Sequence, residues 1–353
     1  MKTTTTVIRT SDRATFRRCR RKWHLTSHLR QGLRPRVEPP YFWLGTGGHF
    51  ALEDHHGYNY YESPVVAFNA YVEAQEKWAS KNRAVELPED YEEQADLGRG
   101  ILENYLIWAK DRDTYETVWI DDEPQCEINL QLPLNDDVVY SATLDRLVRI
   151  NGDLWIVDYK FNKQFDTAPL EWNGQMSAYI WAASAVYDEP IMGGILWQFR
   201  KAIPAAPKVL SNGTISTSKS QNTTRSKYKE ALMLLYGDLE RVPLANIECL
   251  NALTQKETPD YDKYIRREAT FRTQMQQQSE GTKILMEIRD MKDPKLPLYP
   301  NPTKDCSWDC SVKDLCLMID SDDDWESYIR QEFIHERRAP TEGRDDWRDY
   351  LPM

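Results

Sequence analysis

At 353 residues the chain is long enough for one large core or two modest ones, and no apolar run approaches the length of a membrane span or a secretion signal. A formal charge of -11 excludes a surface that coats nucleic acid indiscriminately, and six cysteines in an unsecreted chain of this size do not suggest a disulfide framework. The charge is uneven: through Arg36 eleven basic residues face Asp12 alone, about +10, while the opposite end is acidic.

Ser11 is the expected N-cap of a helix running to about Leu29. Phe16, Cys19 and Trp23 fall at spacings of three and four on one face, with arginines around them. Basic residues interleaved with aromatics can bind nucleic acid, because the charges neutralise phosphates and ring faces stack on bases. An ordinary solvated helix with an apolar stripe explains the pattern as well. Pro35, Pro39 and Pro40 then mark a link. Gly45, Gly47 and Gly48 allow close approach of a helix that His49 opens, with Glu53 one turn later on the same face. A lone histidine more often packs or caps than binds metal, but beside other ligands neutral imidazole is a common ligand.

Two amphipathic helices are predicted between about 64 and 113. Ala67, Tyr71, Ala74 and Trp78 line one, and Leu97, Ile101, Tyr105 and Trp108 line the other, suiting them to cover a sheet. A strand near 126–132, with Cys126 as a core residue, leads to a β-hairpin over 141–160. Branched and aromatic residues alternate on both sides of Asn151-Gly152, the dipeptide suited to a tight type I′ turn. That turn pairs Ile150 with Asp153, Val148 with Trp155, Arg146 with Val157 and Asp145 with Asp158, and opposed residues share a face. Lys160, two residues beyond Asp158, lies on that face too. Like charges about 5 Å apart repel by roughly 3 kcal/mol at an effective dielectric near 20, a cost that a bound divalent cation removes. With the turn at Gly152-Asp153 instead, Asp145 would face Lys160 and ion pairing would suffice.

A helix over about 171–187 presents Gln175 and Tyr179, four apart, in one direction, and a strand is expected at 194–200. From 202 to 225 the sequence is polar and irregular, a loop or flexible arm. Lys208, Lys219, Arg225 and Lys227 could contact phosphates if it folds over substrate, and a plain mobile insertion is the simpler account. Helical patterns resume from 228 to about 291. Cys306, Cys310 and Cys316 follow, three thiolates needing a fourth ligand, for which Cys19 on its basic helix is the natural candidate because positive charge favours the thiolate. Four cysteines suit an iron-sulfur cluster or structural Zn²⁺, and spacing does not separate the two. Beyond Met318 the tail carries Asp320, Asp322, Asp323 and Asp324, read as solvated charge.

Asp145 followed after a turn by Asp158-Tyr159-Lys160 resembles the core of the PD-(D/E)XK nuclease superfamily, in its RecB-like branch, although Leu144 replaces the naming proline. The order Cys19, His49 (in G-x-x-x-H from Gly45), Asp145, Asp158-x-Lys160, Gln175-x-x-x-Tyr179, Cys306, Cys310, Cys316 is similar to AddB-type nucleases and CRISPR-associated RecB-like exonucleases, with phage-encoded members nearest in length and layout. The first cysteine gap, x3, is wider than usual there. The resemblance implies an α/β, restriction-endonuclease-like fold, a mixed central sheet flanked by helices, whose N- and C-terminal segments a [4Fe-4S] cluster on the four cysteines staples together. Residues 1–318 would form the nuclease domain, 202–290 an inserted polar arm and helices, and 319–353 an acidic tail.

The implied activity is a Mg²⁺- or Mn²⁺-dependent DNA exonuclease acting on DNA ends or single strands in recombination or repair. His49, Asp145, Asp158 and the Tyr159 carbonyl would hold metal, with Lys160, Gln175 and Tyr179 completing the catalytic set. Arg17, Arg18, Arg20, Arg21 and Lys22 would grip the strand backbone. A helicase or recombination partner and a cytoplasmic setting, that of the host if phage-encoded, are the corresponding expectations. The alternatives are a catalytically idle DNA-binding scaffold of nuclease fold and a restriction-like endonuclease.

Overall fold

In the computed structural model, residues 5–36, 40–81, 87–335 and 347–352 are described. The chain opens with β1 (Thr6–Arg9), α1 (Thr10–Arg18), α2 (Arg20–Thr26) and the short β2 (Leu33–Pro35), followed by α3 (Pro40–His56), α4 (Pro64–Lys81) and α5 (Tyr91–Arg112). Three two-residue strands, β3 (Glu116–Thr117), β4 (Trp119–Ile120) and β5 (Glu123–Pro124), lead to β6 (Cys126–Asn135) and the hairpin β7 (Val138–Ile150) and β8 (Asp153–Asn162). Asn151 and Gly152 both take positive φ, 52° and 94°, as a type I′ turn requires.

The central sheet is mixed, in the order β1-β7-β8-β9-β10, with β6 and β3 pairing the other edge of β7. β1 is parallel to β7 and β8 is parallel to β9 (Ile191–Arg200), whereas β10 (Ile265–Phe271) closes the far edge antiparallel to β9. The sequence pattern read the β10 stretch as part of a helical region. Its alternation is short, and only the pairing of Phe271 through Ile265 with Gly193 through Phe199 makes it a strand.

Helices cover both faces. On one, Leu52, Ala67, Phe68, Tyr71, Leu102, Tyr105 and Trp108 from α3, α4 and α5 pack on Val148, Val157, Tyr159 and Trp197. On the other, α6 (Gly174–Val186) and α9 (Gln274–Lys292) bring Met176, Ile180, Ile284 and Ile288 onto Tyr140, Leu144, Leu154 and Ile156. The stretch 202–263 carries α7 (Arg225–Tyr236) and α8 (Leu244–Gln255) and closes its own small core of Ile215, Tyr228, Leu232, Cys249 and Leu250. The irregular polar segment is thus anchored at Ile215, and Tyr228 Oη donates to Ser216 O at 2.9 Å.

Both ends differ from the expectation. The N-terminal helix starts one residue before Ser11, with Arg9 at the cap, and breaks at Cys19, whose extended backbone caps α2. Sequence periodicity continues through the break and so conceals it. In the described part of the acidic stretch, Asp320, Asp322, Asp323 and Asp324 are exposed, and α10 (Lys313–Ser321) and α11 (Trp325–Glu332) precede β11 (Phe333–His335), which pairs with β2. Leu25, Leu33, Leu315, Ile329 and Phe333 form a satellite core there. Farther on, Trp347 is buried against Phe50 and Tyr71, and Tyr61 Oη donates to Pro352 O at 3.0 Å.

Candidate active site and cysteine seam

The site follows from how β7 changes partners. On one edge β7 pairs with β1 over Val138–Ser141 and with β8 over Arg146–Ile150, so between Ser141 and Arg146 that edge is bonded to neither strand. Asp145 sits in this fork. The hairpin register reaches Arg146 opposite Val157, and in place of a further ladder bond Asp145 Oδ2 accepts the Tyr159 N–H at 2.6 Å. A carboxylate thus fills a backbone hydrogen-bonding position, which fixes its orientation.

His49 comes from α3, which approaches β8 closely because a Cβ on Gly48 would overlap the Phe161 ring. The imidazole lies against Tyr159 and Phe161, with Nδ1 3.4 Å from Asp145 Oδ2 and 3.6 Å from Glu127 Oε1. Among the described residues, His49, Glu127 and Asp145 are the set of three potential metal-binding side chains whose ligand atoms all fall within 4.8 Å of one another. Asp158 is 2% exposed and accepts from Lys160 Nζ at 2.8 Å. Gln175 Nε2 donates to Tyr179 Oη at 2.7 Å, one helical turn along α6.

Electrostatics differentiate these groups. Burial resists charging His49, but Asp145 and then Glu127 push its pKa up to about 10. Burial also works against Asp145, yet His49 and Lys160 hold it below the usual carboxylate range. Asp158 is raised by burial and by Asp145, with Lys160 opposing. Lys160 is raised by Asp158 and Asp145 against burial, so its ammonium is secure. Burial, then Asp158 and Asp145, drive Tyr179 well up, keeping its phenol a hydrogen-bonding group. The raised pKa makes His49 an imidazolium, and a metal bound there would displace its proton; with the imidazole then neutral and the three carboxylates ionised, the single Lys160 ammonium leaves two negative charges, matching one divalent cation. Carboxylate oxygens with one imidazole nitrogen suit Mg²⁺ or Mn²⁺, the nitrogen favouring Mn²⁺.

Glu127 was not among the residues singled out from sequence. It precedes Ile128 in a strand whose pairing Cys126–Arg146 and Ile128–Leu144 puts it level with Asp145, but the register shift between Pro133 and Asn135 keeps simple counting from revealing it. Its φ of 48° is unusual for a non-glycine strand residue and a recurrent mark of functional positions. Glu53 stands behind it, pushed up to about 7 by burial and by Glu127.

The second gathering of ligands is a seam between the chain ends. Cys19 Sγ accepts from Lys22 N and Asn301 N, both at 3.4 Å, and Cys306 Sγ accepts from Thr303 N at 3.4 Å. Arg21 reaches Cys316 Sγ at 3.7 Å. Burial raises the Cys310 thiol, with Cys306 and Cys19 close enough to add to the shift and Lys22 opposing. All six cysteines are free thiols. The basic residues of α1 and α2 largely serve this seam. Arg18 pairs with Asp309, Arg21 with Asp320, and Lys22 Nζ donates to Asp309 O at 3.0 Å. Arg20 lies over the Phe16 and Tyr299 rings, and Arg17 sits at Gly174, at the start of α6, 3.5 Å from Glu287.

A mixed sheet whose fork gathers carboxylates, a lysine and a histidine offers side chains that could hold a metal ion. A family model described as the PD-(D/E)XK nuclease superfamily matches residues 10–317, most of the chain, and the protein belongs to that superfamily of nucleases. No curated protein matches the sequence. Among the described residues no helix is long and apolar enough to cross a membrane.

Proposed function

We propose that the protein is a Mg²⁺- or Mn²⁺-dependent deoxyribonuclease of the RecB-like branch that removes nucleotides from DNA ends. The observation that carries this reading is the meeting of His49, Asp145, Asp158 and Lys160 at the β7–β8 fork, with Glu127 as an added ligand. A divalent ion bound there supplies a Lewis acid for the scissile phosphate and lowers the pKa of the attacking water. His49, Glu127 and Asp145 hold it, joined by Asp158 and the Tyr159 carbonyl. Lys160, kept cationic by Asp158, positions the water and balances charge growing on the phosphoryl oxygens. Gln175 and Tyr179, already bonded to each other, orient substrate oxygens from the facing helix. End-directed cleavage rests on the resemblance to RecB-like exonucleases, as does a role in recombination or repair beside a helicase or recombination partner.

The same reading gives Cys19, Cys306, Cys310 and Cys316 a [4Fe-4S] cluster. Backbone N–H groups and Arg21 aimed at the sulfurs suit thiolates. Structural Zn²⁺ on the same four cysteines is the alternative.

The test incubates labelled linear and closed circular DNA with Mn²⁺, using wild type and Lys160→Ala. Loss of linear DNA from its ends, absent in the variant, supports the proposal. Cutting of circles would make the enzyme an endonuclease, and binding without cleavage by both proteins would make it a scaffold.

A further inference from the structure

A second concentration of charge lies just past the metal site. β8 and β9 run parallel and end together, with Asn162 beside Arg200. One residue on, Lys201 N–H donates to Asn162 O at 2.7 Å, and Arg200 N–H donates to Tyr264 O at 2.8 Å. Lys163, Arg200, Lys201 and Lys263 are thereby gathered at one end of the sheet. The loop bearing Lys163 is fixed: Gln198, fully buried and in register with Lys160, accepts from Asn162 Nδ2 at 3.2 Å and Asp166 N at 2.6 Å, and donates to Asp166 O at 3.1 Å. Lys163 is three positions along from Lys160, just past the end of β8, about 10 Å at ~3.3 Å per strand residue.

The carboxylates nearby are engaged with other groups. Glu257 pairs with Arg112 and accepts the Arg225 N–H, Asp260 pairs with Arg267, and Asp262 accepts the N–H groups of Tyr264 and Ile265. Lys263 Nζ donates to neutral oxygens, those of Gln221 and the Asn222 side chain. Burial and neighbouring Lys163 pull Lys201 down to about 8, and burial with Arg200 and Lys256 lowers Lys263. The like charges of Arg200 and Lys263 repel, and an anion bound beside them and Lys163 relieves that cost.

We propose that Lys163, Arg200, Lys201 and Lys263 form a phosphate track that holds the DNA strand beside the metal site, with the 202–263 lobe as its outer wall. The proposal rests on the nuclease reading and adds the path of the substrate. With one phosphate per ~3.4 Å of axis on each strand, the track engages DNA about three nucleotides from Lys160. It also gives the strand a basic surface distinct from α1 and α2, whose Arg18, Arg21 and Lys22 are committed to the cysteine seam.

The experiment compares wild type, Lys163→Gln and Lys163→Gln/Lys263→Gln. Binding of a labelled oligonucleotide is measured across a salt series with Ca²⁺ in place of Mn²⁺, and hydrolysis of bis(p-nitrophenyl) phosphate is followed with Mn²⁺. The double variant should bind about tenfold more weakly, with the slope of log affinity against log salt reduced by about one to two, and Lys163→Gln should fall between. Hydrolysis of the small diester, too short to reach the track, should be unchanged. Equal affinity and slope in all three proteins would overturn the track, as would loss of small-diester hydrolysis confined to the variants. A wild type that hydrolyses neither substrate instead overturns the nuclease reading itself.

Discussion

The strand fork and the cysteine seam each collect ligand atoms from remote parts of the chain, yet they are built in opposite ways. At the fork the ligands stand on long core elements, α3, β6, β7 and β8, and oppositely charged neighbours partly balance one another. At the seam Cys19 caps α2, Cys306 lies in a 3-10 turn, Cys310 in the loop after it and Cys316 within α10, all partly exposed, and ion pairs between α1 or α2 and the 305–320 stretch draw the two sides together. The fork is a product of the core. The seam has behind it only the satellite core of Leu25, Leu33, Leu315, Ile329 and Phe333 and the β2–β11 pairing, so whatever the sulfurs bind adds to its cohesion.

Breaking the fork should therefore remove chemistry and leave the fold. Asp145→Ala deletes a ligand together with the acceptor for Tyr159 N–H, and cleavage should fall by about 10³-fold or more, roughly 4 kcal/mol, with DNA binding retained in a mobility-shift assay. Breaking the seam should do the reverse. Cys19→Ser should lower thermal stability by about 3 kcal/mol, near 4 °C for a chain of this length, and bleach any absorbance near ~400 nm expected of thiolate-bound iron, while the residual folded protein still hydrolyses a small diester. A melting temperature equal to wild type would show that the ion pairs, the satellite core and the β2–β11 pairing hold the ends without help from the sulfurs.

Two smaller changes sharpen the contrast within the fork. Glu127→Gln keeps shape but removes a charge, and should raise the Mn²⁺ concentration for half-maximal activity by about 10–100-fold with little change in the maximal rate. Gly48→Ala pushes a methyl against the Phe161 ring. The cost should be about 1–2 kcal/mol in denaturant unfolding, with a modest loss of activity as His49 shifts. An unaltered metal requirement in Glu127→Gln would exclude that side chain as a ligand.

Much of the fork was legible because it is local. Asn151-Gly152 fixes the hairpin register, and from there Asp145, Asp158 and Lys160 follow by counting. Other features escaped for identifiable reasons. Glu127 depends on a backbone conformation that residue type does not signal. The break at Cys19 leaves helical periodicity unchanged. β10 is a strand by virtue of its partner β9, and β1 owes its place to a parallel pairing with residues more than a hundred positions away. The N-terminal arginines could be counted as charge, but their carboxylate partners in the 305–320 stretch lie almost the whole chain away.

The docking of Trp347 on Phe50 and Tyr71 has a practical side. Phe50 is the immediate neighbour of His49, so the carboxyl terminus buttresses the helix that carries the imidazole. Removing residues 347–352 would strip that buttress from α3 and loosen the hold on His49.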